Sequence, residues 1–162
     1  MNRKPKYFIG IDNGVTGSIG IVDCEGNALY FGKTPVKNTK NGKRLDWAKL
    51  ESLLKEYSDA VCLIERPFTH PKRWKASISA ARCDEAQRCV LERLGIRYDH
   101  LDSRTWQKVL GSTGGLKYAS LELGNELYPQ YKQHKHQDRD GLLIARHLWN
   151  TTSSSSTTRS HH

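Results

Sequence analysis

The stretch Tyr7-Phe8-Ile9-Gly10-Ile11-Asp12-Asn13-Gly14-Val15-Thr16-Gly17-Ser18-Ile19-Gly20-Ile21-Val22-Asp23 decides how this chain is read. Its first part, Tyr7 to Asp12, is an aromatic and branched run that reads as a buried strand. Asn13-Gly14 and Gly17 signal tight turns, and Ser18 to Asp23 reads as a second strand returning beside the first. Gly26-Asn27 turns the chain again and Ala28 to Phe31 gives a third strand, so the protein opens on an antiparallel meander. Asp12 stands out within it. It closes an apolar strand, where a carboxylate is costly to bury unless it is paired or bound to metal.

Outward from the meander, Lys33 to Arg44 is basic and turn-rich, with no apolar periodicity. Asp46 then caps a helix whose apolar positions, Trp47, Leu50, Leu53, Leu54 and Tyr57, fall near a helical period. Ala60 to Glu65 is a short apolar run ending in a carboxylate and reads as a central strand; Pro67 and Pro71 hold the next segment open as a loop. A long helix spans about Lys75 to Leu94, with Gly95 at its C-cap. Ile96 to Leu101 is a further strand. Short helices come next over Ser103 to Leu110 and Leu116 to Leu127, and a last helix begins near Gln137 or Asp138. The order β-β-β-α-β-α-β-α-α-α describes a three-layer α/β domain over 1–150, with parallel strands after the antiparallel start. The tail, 151–162, is rich in Ser and Thr and is expected to be disordered or in part an expression tag.

At 162 residues and 36% hydrophobic content the chain has the size of one ordinary domain with a single core, which excludes wholesale disorder. Lys plus Arg number 26 against 17 acids, a net charge of +9 that points to a polyanionic partner. No apolar run approaches the roughly 18 residues of a membrane span, and Asn2 to Lys6 leads into no signal-peptide core. The cysteines at 24, 62, 83 and 89 form no C-x-x-C pair, so reduced thiols and a cytoplasmic location, in a bacterial host if the chain is phage-encoded, are expected.

Glu65 repeats the position of Asp12, with an apolar strand, then a carboxylate, then a loop. Asp140 lies at the start of the last helix, ahead of Leu142-Leu143-Ile144-Ala145. Taken singly, Asp12 could be a turn former and Asp140 a favourable charge at a helix N-terminus. Together the three acids could converge at one end of the sheet, where an oxygen-rich cluster selects Mg²⁺, with Mn²⁺ as a substitute. Two such metals roughly 4 Å apart activate water and stabilise the leaving oxygen of a phosphodiester.

These residues carry a resemblance. Phe8 to Gly17 resembles the first strand and turn of RuvC-type Holliday junction resolvases; Ile64-Glu65-Arg66-Pro67 resembles their second acidic strand end; Asp140 to Ala145 is similar to their last helix. Thr105-Trp106-Gln107-Lys108-Val109-Leu110-Gly111 resembles the segment that phage members carry before a lysine-bearing loop. The resemblance spans about residues 7 to 149. It implies an RNase H-like three-layer α/β fold with a mixed five-stranded sheet flanked by helices, a homodimer, and Mg²⁺-dependent symmetrical nicking of four-way DNA junctions. It also implies a fourth metal ligand, and there the sequence departs from the family, which places Asp or His where Gln137 stands. On an ideal helix Asp138 points about 200° from Asp140 and His136 only about 40°, so a helix already formed there favours His136; a loop leaves either free to reach the metal. By its place in the family pattern Lys117 is the candidate to meet the scissile phosphate, with Lys108 second.

Two basic clusters are candidates to contact DNA. Lys37, Lys40, Lys43 and Arg44 lie in the turn-rich segment, read either as a hairpin edge tracking phosphates or as a solvated loop. Lys72 and Arg73, with Phe68 and Trp74, come after Glu65 on a loop suited to stacking on an unpaired base, the alternative being core or dimer contacts for the aromatics. In the long helix Ala76, Ser79, Ala80, Cys83, Ala86, Val90 and Leu94 form a face to pack on the sheet, and Ile78, Ala81, Cys89 and Leu91 a second face that could meet its own copy. The leading reading is a junction-resolving endonuclease. The alternatives are a nuclease of the same fold cutting RNA–DNA hybrids or flaps, and an actin-like or sugar-kinase-type nucleotide-binding domain, whose phosphate loop resembles Asp12-x-Gly14-x-Thr16 but which needs two such lobes.

Overall fold

The structure, a computed structural model, describes residues 3–109 and 119–157. Its centre is a mixed five-stranded sheet in the order β3-β2-β1-β6-β7. Strands β1 (Tyr7–Ile11), β2 (Ser18–Asp23) and β3 (Ala28–Lys33) form the expected antiparallel meander, and β6 (Ala60–Glu65) and β7 (Arg97–Leu101) run parallel to β1 beyond it. The alternation of side chains divides the sheet cleanly. Ile9, Ile11, Ile19, Ile21, Cys62 and Ile64 face α1 (Trp47–Leu54) and α2 (Trp74–Arg93). Phe8, Val22 and Leu63 face the other way, toward α3 (Ser103–Val109), whose Trp106 packs on Leu63, and toward α4 (Ala119–Leu127) and α5 (Asp140–Thr157).

The basic segment after β3 is a hairpin of its own, β4 (Val36–Thr39) with β5 (Gly42–Leu45). Only Leu45 at its base enters the core, which is why the strands show no apolar alternation. Asp46 caps α1 as expected, its carboxylate accepting the Lys49 N–H at 3.2 Å. Helix α2 places Cys83 and Val90 of the expected face in the core, with Ala86 and Leu94 packed against it; Asp84, Gln87 and Leu91 are buried as well, and Ala76 is exposed. Its first residues, Trp74 to Ala76, are exposed. Asp84 is matched beneath the helix by His100 Nε2 at 2.8 Å.

The last helix differs at both ends from the sequence reading. It begins at Asp140, not at Gln137 or Asp138, and it continues through the expected tail to Thr157. Along the extension the polar side chains turn back on the helix: the hydroxyls of Thr151, Thr152, Ser154 and Ser155 donate to the carbonyls of His147, Leu148, Asn150 and Thr151, four residues back in each case. Residues 158–162 lie outside the described residues. At its start α5 lies directly on the sheet. A Cβ at Gly10 would overlap the Gly141 carbonyl and the Ala145 nitrogen, and one at Gly20 would overlap the backbone of Leu142, so the two strand glycines let the first turn of α5 approach β1 and β2. Ser18, wholly buried, accepts the Gly141 N–H at 2.9 Å and fixes the contact. Sequence thereby brings Asp140 to Asp12.

Candidate metal centre

Asp12 comes directly after the last residue of β1, with its N–H held by the Ser18 carbonyl at 2.9 Å. Glu65 ends β6, the neighbouring parallel strand, and Asp140 begins α5 above them. One oxygen from each of Asp12, Asp138 and Asp140 lies within 4.8 Å of the other two. Glu65 stands just outside this trio. It is close enough to raise the proton affinity of Asp12 and Asp140, and its Oε2 accepts the indole N–H of the fully buried Trp106 at 2.8 Å.

The electrostatics result from crowding. Burial, then Glu65, Asp140 and Asp138, hold the Asp12 carboxyl well above the usual carboxylate range. Burial and Asp138 push Asp140 up to about 7, against the pull of its hydrogen bond from Ser120. Glu65 is raised by burial first and by Asp138 last, while the Trp106 bond works in the opposite direction. Carboxylates so placed gain from a cation that replaces their shared protons. Neither His nor Cys joins the trio among the described residues, so the donor set is hard oxygen, which fits a divalent cation such as Mg²⁺ or Mn²⁺ and not a soft metal.

The late start of α5 reverses the geometric argument about the fourth ligand. Because the chain is still a loop at 136–139, Asp138 reaches the trio. His136 does not join the trio but stands behind it, with Nδ1 3.5 Å from Asp138 Oδ1. Its Nε2 meets the Gly17 carbonyl at 3.2 Å, and its Nδ1 receives the Asp138 N–H at 3.3 Å. The residue between the two aspartates, which sequence reasoning passed over, builds this loop. Arg139 is 1% exposed; its guanidinium donates to the carbonyls of Tyr131, His134, His136 and Asp138 and to Asn125 Oδ1, and it lies 5.3 Å from the Phe31 ring centroid. A cation flanked by acids reads as surface, so no sequence signal marked it. Asp138 completes the turn by accepting the Asp140 N–H at 3.0 Å. Trp106 and Ser120 were likewise given no role by sequence. A lone Trp in an otherwise polar short helix was the available signal for the first.

The candidate DNA contacts divide between two exposed elements at the same end of the sheet. Lys37, Lys40, Lys43 and Arg44 are exposed on the β4–β5 hairpin, which is rooted beside Asp12: the Thr34 N–H donates to the Gly17 carbonyl at 3.0 Å, in the turn just after Asp12. Phe68, 70% exposed, and Lys72, Arg73 and Trp74 occupy the loop and helix start after Glu65; Phe68 stacks on His70 and Lys75 lies over Trp74. Lys108 is exposed on α3, two residues beyond Trp106. Lys117 lies outside the described residues. Cys24, Cys62, Cys83 and Cys89 are free thiols. Among the described residues no helix is long and apolar enough to cross a membrane.

No protein-family model matches the sequence, and no curated protein matches it. Solved structures do. A Thermus thermophilus RuvC structure is similar with a TM-score of 0.65 at 16% identity, covering 94% of this chain and 97% of that one. A second, T. thermophilus RuvC in complex with a Holliday junction substrate, gives a TM-score of 0.66 at 16% identity, covering 94% of this chain and 96% of that one. The chain therefore has the RuvC fold, of the RNase H-like α/β type, across nearly its whole length.

Proposed function

We propose that the protein is a metal-dependent endonuclease that resolves four-way DNA junctions by paired symmetrical nicks. The observation that carries this reading is the trio of Asp12, Asp138 and Asp140, with Glu65 beside it, at the sheet end flanked by the basic hairpin and the Phe68 loop. The fold shared with a RuvC bound to a junction substrate supports the choice of substrate. Asp12, Glu65, Asp138 and Asp140 hold Mg²⁺, for which Mn²⁺ substitutes; when bound, the metal supplies a polarised water for attack on phosphorus and positive charge for the leaving oxygen. Trp106 and Ser120 hold Glu65 and Asp140 against the mutual repulsion of the carboxylates. By its place in the sequence pattern Lys117, with Lys108 second, takes the role of neutralising the scissile phosphate. Lys37, Lys40, Lys43, Arg44, Lys72 and Arg73 neutralise phosphates, and Phe68, with Trp74 behind it, stacks on a base splayed at the branch. Cleavage leaves 5′-phosphate and 3′-hydroxyl ends. One subunit offers one metal cluster, so two opposed nicks require a homodimer.

The test compares a four-way junction, a flap, an RNA–DNA hybrid and linear duplex in Mg²⁺. Paired nicks on the junction, absent with Asp12→Asn, are expected. Faster cutting of the hybrid or of linear duplex refutes resolution as the function.

A further inference from the structure

The loop that carries Asp138 has two sides of opposite character. On its inner side the carbonyl oxygens of Tyr131, His134, His136 and Asp138 all turn in to the buried Arg139 guanidinium. Its outer side is left with Lys132, Gln133, Lys135 and Gln137, each of them exposed. No acid stands between Glu126 and Asp138. Neither lysine makes an ion pair among the described residues. The backbone N–H groups of Lys135 and Gln137 likewise meet no acceptor among the described residues. With its carbonyls engaged within, the loop offers donors and positive charge outward, the chemistry of a phosphate contact.

Its position fits the same use. The loop packs over Phe31 near the end of β3, with the rings of Tyr131, His134 and His136 centred 5.7, 4.8 and 5.8 Å from that of Phe31. From β3 the chain passes through Thr34 into the β4–β5 hairpin. The Gly17 carbonyl accepts the Thr34 N–H at 3.0 Å and lies 3.2 Å from His136 Nε2. Hairpin and loop are therefore rooted on one turn, the turn that follows Asp12. On its other side the loop runs into the trio: three residues separate Lys135 from Asp138, a span of at most roughly 10 Å, or about three phosphates of one strand. We propose that this loop is a third DNA-contacting surface, on which Lys132 and Lys135 hold the phosphates of the strand between the β4–β5 hairpin and the metal centre. The proposal deepens the nuclease reading and takes its partner from it.

The test measures binding to a four-way junction and to linear duplex at several salt concentrations for three double variants, all altered at exposed positions. Lys132→Ala with Lys135→Ala should weaken binding about tenfold and lower the salt slope by about two. Lys132→Arg with Lys135→Arg should bind within about twofold of the wild type, because a phosphate accepts either cation. Lys4→Ala with Lys55→Ala removes the same charge at the opposite end of the sheet, ahead of β1 and β6, and should also stay within about twofold. Equal losses from the two alanine pairs would reduce the effect to net charge and overturn the proposal. So would an arginine pair as weak as the alanine pair, or an alanine pair that binds like the wild type. Binding is the readout, so a junction bound through these lysines but never nicked would refute resolution and leave the loop's role standing.

Discussion

The metal end of α5 and the basic elements facing it are built by opposite means. Asp138 and Asp140 sit on a loop and helix start tied by buried bonds: Arg139 to four carbonyls, Ser18 to Gly141, Ser120 to Asp140. The hairpin cations and Phe68 are exposed and tied to almost nothing. A phosphodiester reaction needs carboxylates fixed to within fractions of an ångström, whereas phosphate contacts tolerate slack and act in numbers. Changes at the first site should thus be all-or-none, and changes at the second graded and salt-dependent.

The sharpest expression of the difference is loss of cleavage with binding kept. Asp12→Asn, Glu65→Gln and Asp140→Asn should each lower the cleavage rate by about a thousandfold or more while junction affinity holds or rises, because each removes negative charge facing DNA. Single-turnover cleavage beside a binding isotherm reads both. Any of the three that still cuts near the wild-type rate does not belong to the site.

Metal should next show itself in stability. Asp140 has a pKa of about 7 in the folded protein against an ordinary 3.8, so between those values the metal-free native state keeps a proton that the unfolded chain has released. Its stabilising contribution is full below the unfolded value and is lost as pH rises through 7; Asp12 and Glu65, raised as well, act in the same sense. Mg²⁺ competes with those protons. The rise in Tm on adding Mg²⁺ should therefore be several degrees larger near pH 8 than near pH 5.5. An equal rise at both would mean that the cation binds elsewhere.

Asp138→Ala should reduce Mg²⁺-dependent cleavage about a hundredfold and His136→Ala about tenfold or less, since the first removes an oxygen from the trio and the second removes only groups behind it, the contact with the Gly17 carbonyl and the approach to Asp138. Titrating Mg²⁺ for both variants gives the ranking, and the reverse order would put the helix start nearer Gln137. This is also where sequence reading reached its limit. The meander, β6, β7, the Asp46 cap and the Gly95 C-cap were legible because each arises from a local pattern of apolar residues and turn formers. The start of α5 was not, because His136-Gln137-Asp138 is compatible with a helix, and the obstacle to one is Arg139 taking up the carbonyls of the preceding loop. Likewise the burial of Asp84, Gln87 and Leu91 and the exposure of Ala76 on α2 depend on what packs over each turn, a tertiary quantity. Asp12, Glu65 and Asp140 were legible as charges at the borders of apolar runs; Asp138 needed the loop.

Trp106→Phe keeps the ring in the core and deletes only the N–H that holds Glu65. Cleavage at saturating Mg²⁺ should fall about tenfold, the worth of one hydrogen bond to a charged group. In the wild type, one indole N–H resonance, missing from Trp106→Phe, should shift on adding Mg²⁺. An unshifted resonance would mean that Glu65 does not respond to the metal.

The smallest effect tests the slack side of the comparison. On the hairpin Lys37 pairs across the strands with Arg44, and Asn38 with Lys43, so two like charges stand opposite each other on an exposed ribbon. Such a pair destabilises the free protein by a few tenths of a kcal/mol, on the order of 0.2–0.5. A phosphate lying between them removes that repulsion and gains two contacts. Lys37→Ala and Arg44→Ala should therefore leave the free protein as stable or slightly more so, while each weakens junction binding about threefold and lowers the salt slope by about one. The opposite signs are the diagnostic, because a hairpin that merely folds against α2 would lose stability and affinity together. Denaturant midpoints and binding at several salt concentrations measure the two signs. Unchanged affinity would place the DNA away from the hairpin and leave the loop around Phe68 as the surface it tracks.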